Sequence, residues 1–189
     1  SGEIDETAWH LFPEICNTYK PSLLVVGPGM GQSPLLAVLL QQVGLPLLVD
    51  ADALNALSRE ANWANRWPKQ RPAIFTPHAA EMARLLNTSV AADESTRVEQ
   101  VRQLATWTQG VALLKGHGTL VACGAGSKQQ LFQNTTGSAA LAKAGAGDVL
   151  SGLIAGLWAQ MGTAEGFSVQ SALKASVCGV YLHGRAGDL

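Results

Sequence analysis

The chain has 189 residues, 47% apolar and only 14% charged, which provides a sizeable core and excludes intrinsic disorder. Thirteen basic against fourteen acidic side chains give a net charge of -1, so there is no basic footprint for nucleic acid and no polybasic arm for anionic lipid. Residues 1–20 carry early acids and no apolar signal-peptide core, and Pro and Gly cut the uncharged stretch 21–49 into pieces far shorter than the ~20 residues of a bilayer helix. The expectation is a soluble, cytoplasmic chain with neither nucleic-acid nor membrane partners. Cys16, Cys123 and Cys178 are odd in number and widely spaced, and read as small buried residues in a reducing compartment.

In chain order, residues 23–26 form a continuously apolar run, the pattern of a strand buried on both faces. Glycines at 27, 29 and 31 end it. Ser33 reads as an N-cap with Pro34 at the first helical position, and Gly44 as the stop near residue 43. Residues 45–49 make the next strand. It ends in Asp50-Ala51-Asp52, with a helix from about Ala53. A third strand covers residues 73–75, and Thr76-Pro77 opens a helix reaching about Leu86. A polar helix spans 93–109, strands follow at 111–114 and 119–123, and apolar helices at 147–160 and 171–185. Between them, Trp63 and Trp67 read as packing anchors. Strands alternating with helices predict an α/β domain with a mostly parallel sheet and helices on both faces. Ligands bind at the carboxyl ends of such strands.

Several familiar sites are absent from the sequence. There is no GxxxxGK[ST], no GxSxG and no HExxH, and Gly27, Gly29 and Gly31 read GxGxG rather than a dinucleotide fingerprint. The four histidines lack companions at metal-ligand spacing. The strongest local signal is Ala144-Gly145-Ala146-Gly147-Asp148 ahead of an apolar helix. Glycines there let backbone N–H groups converge at a helix N-terminus, an anion hole suited to phosphate. Asp148 reads either as an N-cap or as a general base toward a hydroxyl. Lys115-Gly116-His117-Gly118-Thr119 joins two strands. It is open to reading as a bare hairpin turn or as a phosphate or ribose contact through Lys115. His78 and Glu81, three apart, share a face beside a helix start. Asp50 and Asp52 alternate along the chain, so one faces the cleft and the other caps a helix.

Taken in order, VVGPGMG, VDADALNAL, TPHAAEMARLL, LLKGHGTLVACG, NTTGSAALAKAGAGDVLSGLIAGLWAQ and CGVYLHGRAGDL resemble the NAD(P)H-hydrate dehydratase family, the YjeF C-terminal type of the ribokinase-like superfamily. The resemblance runs from Leu23 onward. It implies a three-layer α/β/α sandwich and an enzyme that restores NAD(P)H from its hydrate. A ring hydroxyl is phosphorylated at the expense of ADP or ATP, and the phosphate is then lost. By resemblance, Lys115, Gly116, His117, Gly118, Thr119, Gly145 and Gly147 hold the nucleotide. Asp148 abstracts the hydroxyl proton, and Gly31, His78 and Asp50 join it in contacting the hydrated dinucleotide. Glu81 matches the carboxylate that arranges Mg2+, indirectly, in related kinases. The resemblance further implies a homo-oligomer, a tetramer, and an epimerase fused to it or working beside it.

The chain departs from the family pattern in places. Ala79-Ala80 stands where the family has Pro-Gly, and Gly137-Ser138 where it often has Gly-Asn. The chain reads as a single ribokinase-like domain over 1–189 without the family's first strand-helix units and last stretch, and so as a piece or a shortened product. Two other readings compete: a small-molecule kinase of the hydroxymethylpyrimidine or thiazole type, and a non-catalytic nucleotide-binding fragment.

Overall fold

The computed structural model describes residues 6–124 and 126–189. The elements run α1 (Glu6–Tyr19), β1 (Leu24–Val26), α2 (Leu35–Gln42), β2 (Leu47–Val49), α3 (Ala51–Arg59), α4 (Trp63–Arg66), β3 (Ala73–Phe75), α5 (Ala79–Leu86) and α6 (Glu94–Thr108). They continue with β4 (Val111–Leu114), β5 (Leu120–Cys123), β6 (Gln130–Gln133), α7 (Ala146–Glu165) and α8 (Val169–Gly187). The strands form one sheet in the order β1-β2-β3-β4-β5-β6. Strands β1 to β4 are parallel, β5 runs antiparallel to β4, and β6 antiparallel to β5. The expected mostly parallel sheet is what forms.

The apolar runs are continuous because both sheet faces are covered. Val49, Phe75, Ala112 and Leu114 pack with α2, α3, α5 and α6 on one side. Leu48, Ile74, Val111 and Leu113 pack with α7 and α8 on the other. Alternate residues of each strand therefore serve opposite layers, and the result is the expected α/β/α sandwich. Trp63 and Trp67 do anchor packing, with Trp67 set edge-on to Phe75 at 4.9 Å. The buried Arg71 guanidinium lies over Trp67 and donates to the Leu40 and Val43 carbonyls at the end of α2, and burial lowers its pKa to about 10.

Helices α7 and α8 meet closely. Gly179 gives room to Ile154, and the Trp158 indole N–H reaches Ser171 Oγ at 3.2 Å. Near its end, α8 lies so close to the loop after β6 that a Cβ on Gly184 would stand 2.1 Å from Thr136 Oγ1. No described helix is long and apolar enough to cross a membrane.

The local expectations need several corrections. The N-cap of α5 is His78, not Thr76. Its Nδ1 accepts from the Ala80 and Glu81 N–H groups while Glu81 accepts from His78 N, a reciprocal capping box. Ser33 accepts from Leu35 N but lies one residue before the N-cap, Pro34. Helix α8 starts at Val169, with Ser168 as its cap. Helix α1 and strand β6 carry no expectation from the sequence. Of the three cysteines only Cys123 is buried, Cys16 being intermediate and Cys178 exposed.

Candidate active site

The parallel strands all point their carboxyl ends to one sheet edge, which brings the marked segments together. After β1 the chain turns through Gly27, Gly29 and Gly31, all with positive φ. Only glycine fits at Gly27, where a Cβ would stand 1.7 Å from the Asp50 carbonyl oxygen. Asp50 ends β2, the Pro77 carbonyl after β3 accepts from Lys115 N at 2.9 Å, and His78 and Lys115 form a parallel bridge. Because β5 is antiparallel, its first end lies at the same edge, and residues 115–119 close the β4–β5 hairpin there. Arg97 of α6 braces this turn by donating to the Gly118 carbonyl at 3.2 Å.

The alternation expected for the two aspartates does not hold. Asp50 both caps α3, accepting from Ala51 N at 2.8 Å, and turns toward Lys115, whose Nζ donates to it at 2.7 Å. Ser151 Oγ of α7 donates to its other oxygen at 2.7 Å, and Asp50 is 1% exposed. Asp52 turns back to accept from Gly31 N at 2.9 Å. The chain leaves extended geometry at Ala51, φ 48°, and this is what frees both side chains from strand alternation.

Asp148 is not the N-cap of α7. Gly145 holds that position with φ 85° and offers no side chain. Asp148 sits in the first turn, exposed and with no hydrogen-bond partner among the described residues. The Gly147 and Asp148 N–H groups likewise bond no described protein group, so the positive end of a twenty-residue helix is open. Lys115 Nζ is close by, 3.5 Å from where a Gly147 Cβ would stand.

A cavity of about 490 Å³ lies beside this point. Lys115, Gly116, His117, Gly118, Thr119 and Gly147 line it. Gly145, Gly31, Asp50, His78, Glu81 and Asp148 are not in its wall. Asn134, Thr136 and His183 are, without any expectation from the sequence. Their signal is faint, since each is a single polar residue in a loop or on a helix face. Ser151 had a better one, being a polar residue three after Asp148 in an otherwise apolar helix.

A parallel sheet turning antiparallel at its last strands, layered by helices, with an open helix N-terminus at its carboxyl edge, defines a ribokinase-like protein. A ribokinase-like superfamily protein from Enterococcus faecalis V583 shares this architecture at a TM-score of 0.69 and 26% identity, covering 96% of this chain and 59% of that one. Within that class, the sequence profile of the NAD(P)H-hydrate dehydratase family (Carb_kinase) matches residues 8–189, and the chain belongs to that family. An ADP-dependent (S)-NAD(P)H-hydrate dehydratase from Neisseria meningitidis serogroup B is 38% identical over 191 residues, 94% of this chain and 61% of that protein. The ADP/ATP-dependent NAD(P)H-hydrate dehydratase from Bacillus subtilis, co-crystallized with ATP/Mg2+, is similar at a TM-score of 0.66 and 30% identity, covering 86% of this chain and 53% of that one. The chain thus spans between about half and three fifths of the length of these relatives.

Proposed function

We propose that the protein restores NAD(P)H from its hydrate, using ADP as phosphoryl donor. The observation that carries this reading is the joint at the α7 N-terminus: free N–H groups, an exposed carboxylate at Asp148 and the Lys115 ammonium, all beside a cavity of nucleotide scale. The nucleotide lies in the cavity against residues 115–119, with its terminal phosphate on the α7 N–H groups. Asp148 takes the proton of the substrate hydroxyl as its oxygen attacks phosphorus, and AMP leaves. Departure of phosphate and of a proton from the neighbouring ring carbon then regenerates the reduced nicotinamide. Gly31 and His78 lie at the same sheet edge and receive the dinucleotide.

Magnesium fits this reading only as a companion of the nucleotide. No group of three His, Cys, Asp or Glu able to hold a metal occurs among the described residues. Both Glu81 oxygens are turned to His78, at 2.8 Å from its N and 3.3 Å from its Nε2. Such a metal neutralises phosphate charge and keeps most of its ligands from phosphate and water. By resemblance the protein works in the cytoplasm as a homo-oligomer, with an epimerase supplying the reactive epimer.

The test is to supply hydrated NADH, ADP and magnesium and follow NADH absorbance. Its return, with matching release of AMP and phosphate, supports the reading. A phosphorylated alcohol without returning absorbance makes the protein a kinase. Binding of ADP without any turnover makes it a non-catalytic nucleotide binder.

A further inference from the structure

Lys115 approaches the α7 N-terminus on a flexible four-carbon stem, and a point charge on such a stem has no direction of its own. Two residues restrain it. Asp50 Oδ1 accepts from Lys115 Nζ at 2.7 Å and from Ala51 N at 2.8 Å, while Oδ2 accepts from Ser151 Oγ at 2.7 Å. Both Asp50 and Ser151 are fully or almost fully buried. Ser151 belongs to the helix whose open end forms the site, so the ammonium is referenced to α7 through one carboxylate.

We propose that Asp50 and Ser151 are positioning residues that fix the Lys115 ammonium over the first turn of α7, and that Asp50 makes no contact with the dinucleotide. This rests on the reading of that turn as a phosphate site. Each Asp50 oxygen already has a partner and the side chain is out of solvent, so a ligand would have to displace a protein donor to reach it. A buried ion pair is also weak evidence for stability, because desolvation offsets much of its attraction. Its fixed geometry suits positioning: an ammonium held in place stabilises charge developing on a transferring phosphoryl group without reorganising. Removing the Asp50 charge leaves the cation in the site but frees its stem. Ground-state attraction for ADP then survives while alignment in the transition state is lost.

The experiment uses the full-length protein with Asp50→Asn, Ser151→Ala, Lys115→Ala and the Asp50→Asn/Lys115→Ala double variant, each checked for folding by its melting curve. One measurement needs no substrate: the acetylation rate of the Lys115 amine by a small acylating reagent, read by mass spectrometry against Lys143 in the same sample. Asp50→Asn should raise it about tenfold, by freeing an ammonium from a charge-assisted bond. The second is the NADH-return assay. Asp50→Asn should lower kcat about 100-fold, the usual effect of an ångström of misplacement, while the KM for ADP moves less than about threefold. Ser151→Ala should show the same split in smaller measure, and carries the test if Asp50→Asn fails to fold. The double variant should be no slower than Lys115→Ala, since Asp50 acts through that lysine. Additive losses, or a raised KM at unchanged kcat, would mean that Asp50 touches substrate and would overturn the proposal, as would unchanged acetylation. Raised acetylation in a protein that never returns NADH would instead sink the functional reading and the catalytic part of this proposal with it.

Discussion

Replacing Gly184 by Ala tests how the cavity wall is supported. The added methyl would stand 2.1 Å from Thr136 Oγ1, 2.8 Å from the Thr136 carbonyl carbon and 2.9 Å from its Cβ. Rotating the threonine cannot relieve a clash with its own backbone, so the loop must retreat from α8. That retreat strains the Thr136 hydroxyl bond to the Tyr181 carbonyl at 3.1 Å and the Gly137 N–H bond to Asp188 at 2.9 Å. Overpacking of this kind costs about 1–3 kcal/mol. Alanine returns up to ~1 kcal/mol through its better helix propensity, leaving a net loss of up to about 2 kcal/mol. The control is Gly156→Ala in α7, where the same methyl meets nothing within 4 Å. It should gain about 0.5–1 kcal/mol. Urea unfolding of the two variants should therefore move the midpoint in opposite directions at unchanged slope. Thr136, Gly137 and Gly184 all line the cavity, so Gly184→Ala should also weaken ADP binding in calorimetry. Equal stability shifts, or a Gly184 variant more stable than wild type, would refute the claim that this close approach is tight.

Three further outcomes are expected. Asp148→Asn should leave folding and ADP affinity nearly intact, because Asp148 neither caps α7 nor bonds a described protein group. It should cut the rate of NADH return by ~10²–10⁴-fold, the usual worth of a positioned base; a rate within a few-fold of wild type removes Asp148 from catalysis. Asp93 accepts from the Thr96 N–H as the α6 cap, and that bond holds its pKa below the ordinary 3.8. The stability it adds is present above 3.8 and is lost as pH falls through the lowered folded value. Asp93→Asn should cap without titrating, so acid melting curves should lose this contribution and start to fall at lower pH. Trp158→Phe removes a fully buried indole and its bond to Ser171, and denaturant unfolding should register a loss of about 1–3 kcal/mol; no change would mean that the α7–α8 seam repacks around it.

The architecture was legible where apolar runs were continuous, as at residues 47–49 and 111–114, because burial on both faces leaves no alternation to misread. Strand β6 escaped notice because Gln130 and Gln133 flank Leu131 and Phe132 on an exposed edge, where no core selects the pattern. Helix α1 was hidden by Pro13 in its middle. At the site, the glycines at 145 and 147 could be marked as an anion hole because their spacing ahead of a helix has local meaning, whereas residues 115–119 stayed open between a hairpin turn and a phosphate contact, and their place beside that helix start follows from the fold. From the residues Asp50 was readable as either cleft-facing or helix-capping, and by resemblance as a dinucleotide contact, but not as both cap and lysine partner. Its partners lie far along the chain, and its orientation follows from the left-handed turn at Ala51, which no rule of alternation predicts. The His78 cap was missed because Thr76-Pro77 fits the usual pattern for a helix start and histidine is an uncommon cap.

The Asp50 carboxylate joins partners 65 and 101 residues away along the chain, at Lys115 and Ser151. The hairpin that carries Lys115 closes within a few residues, and α7 is continuous helix; both form from neighbouring sequence. The seat of the ammonium cannot, since it needs β2, β4 and α7 in register at once. Closing such distant loops is slow and entropically costly. The seat of the ammonium is thus expected to be among the last features to assemble and the first to loosen, so that a chain could keep its helical content and still lack a correctly placed charge. Turnover is then a more sensitive gauge of complete folding than any spectroscopic measure of secondary structure.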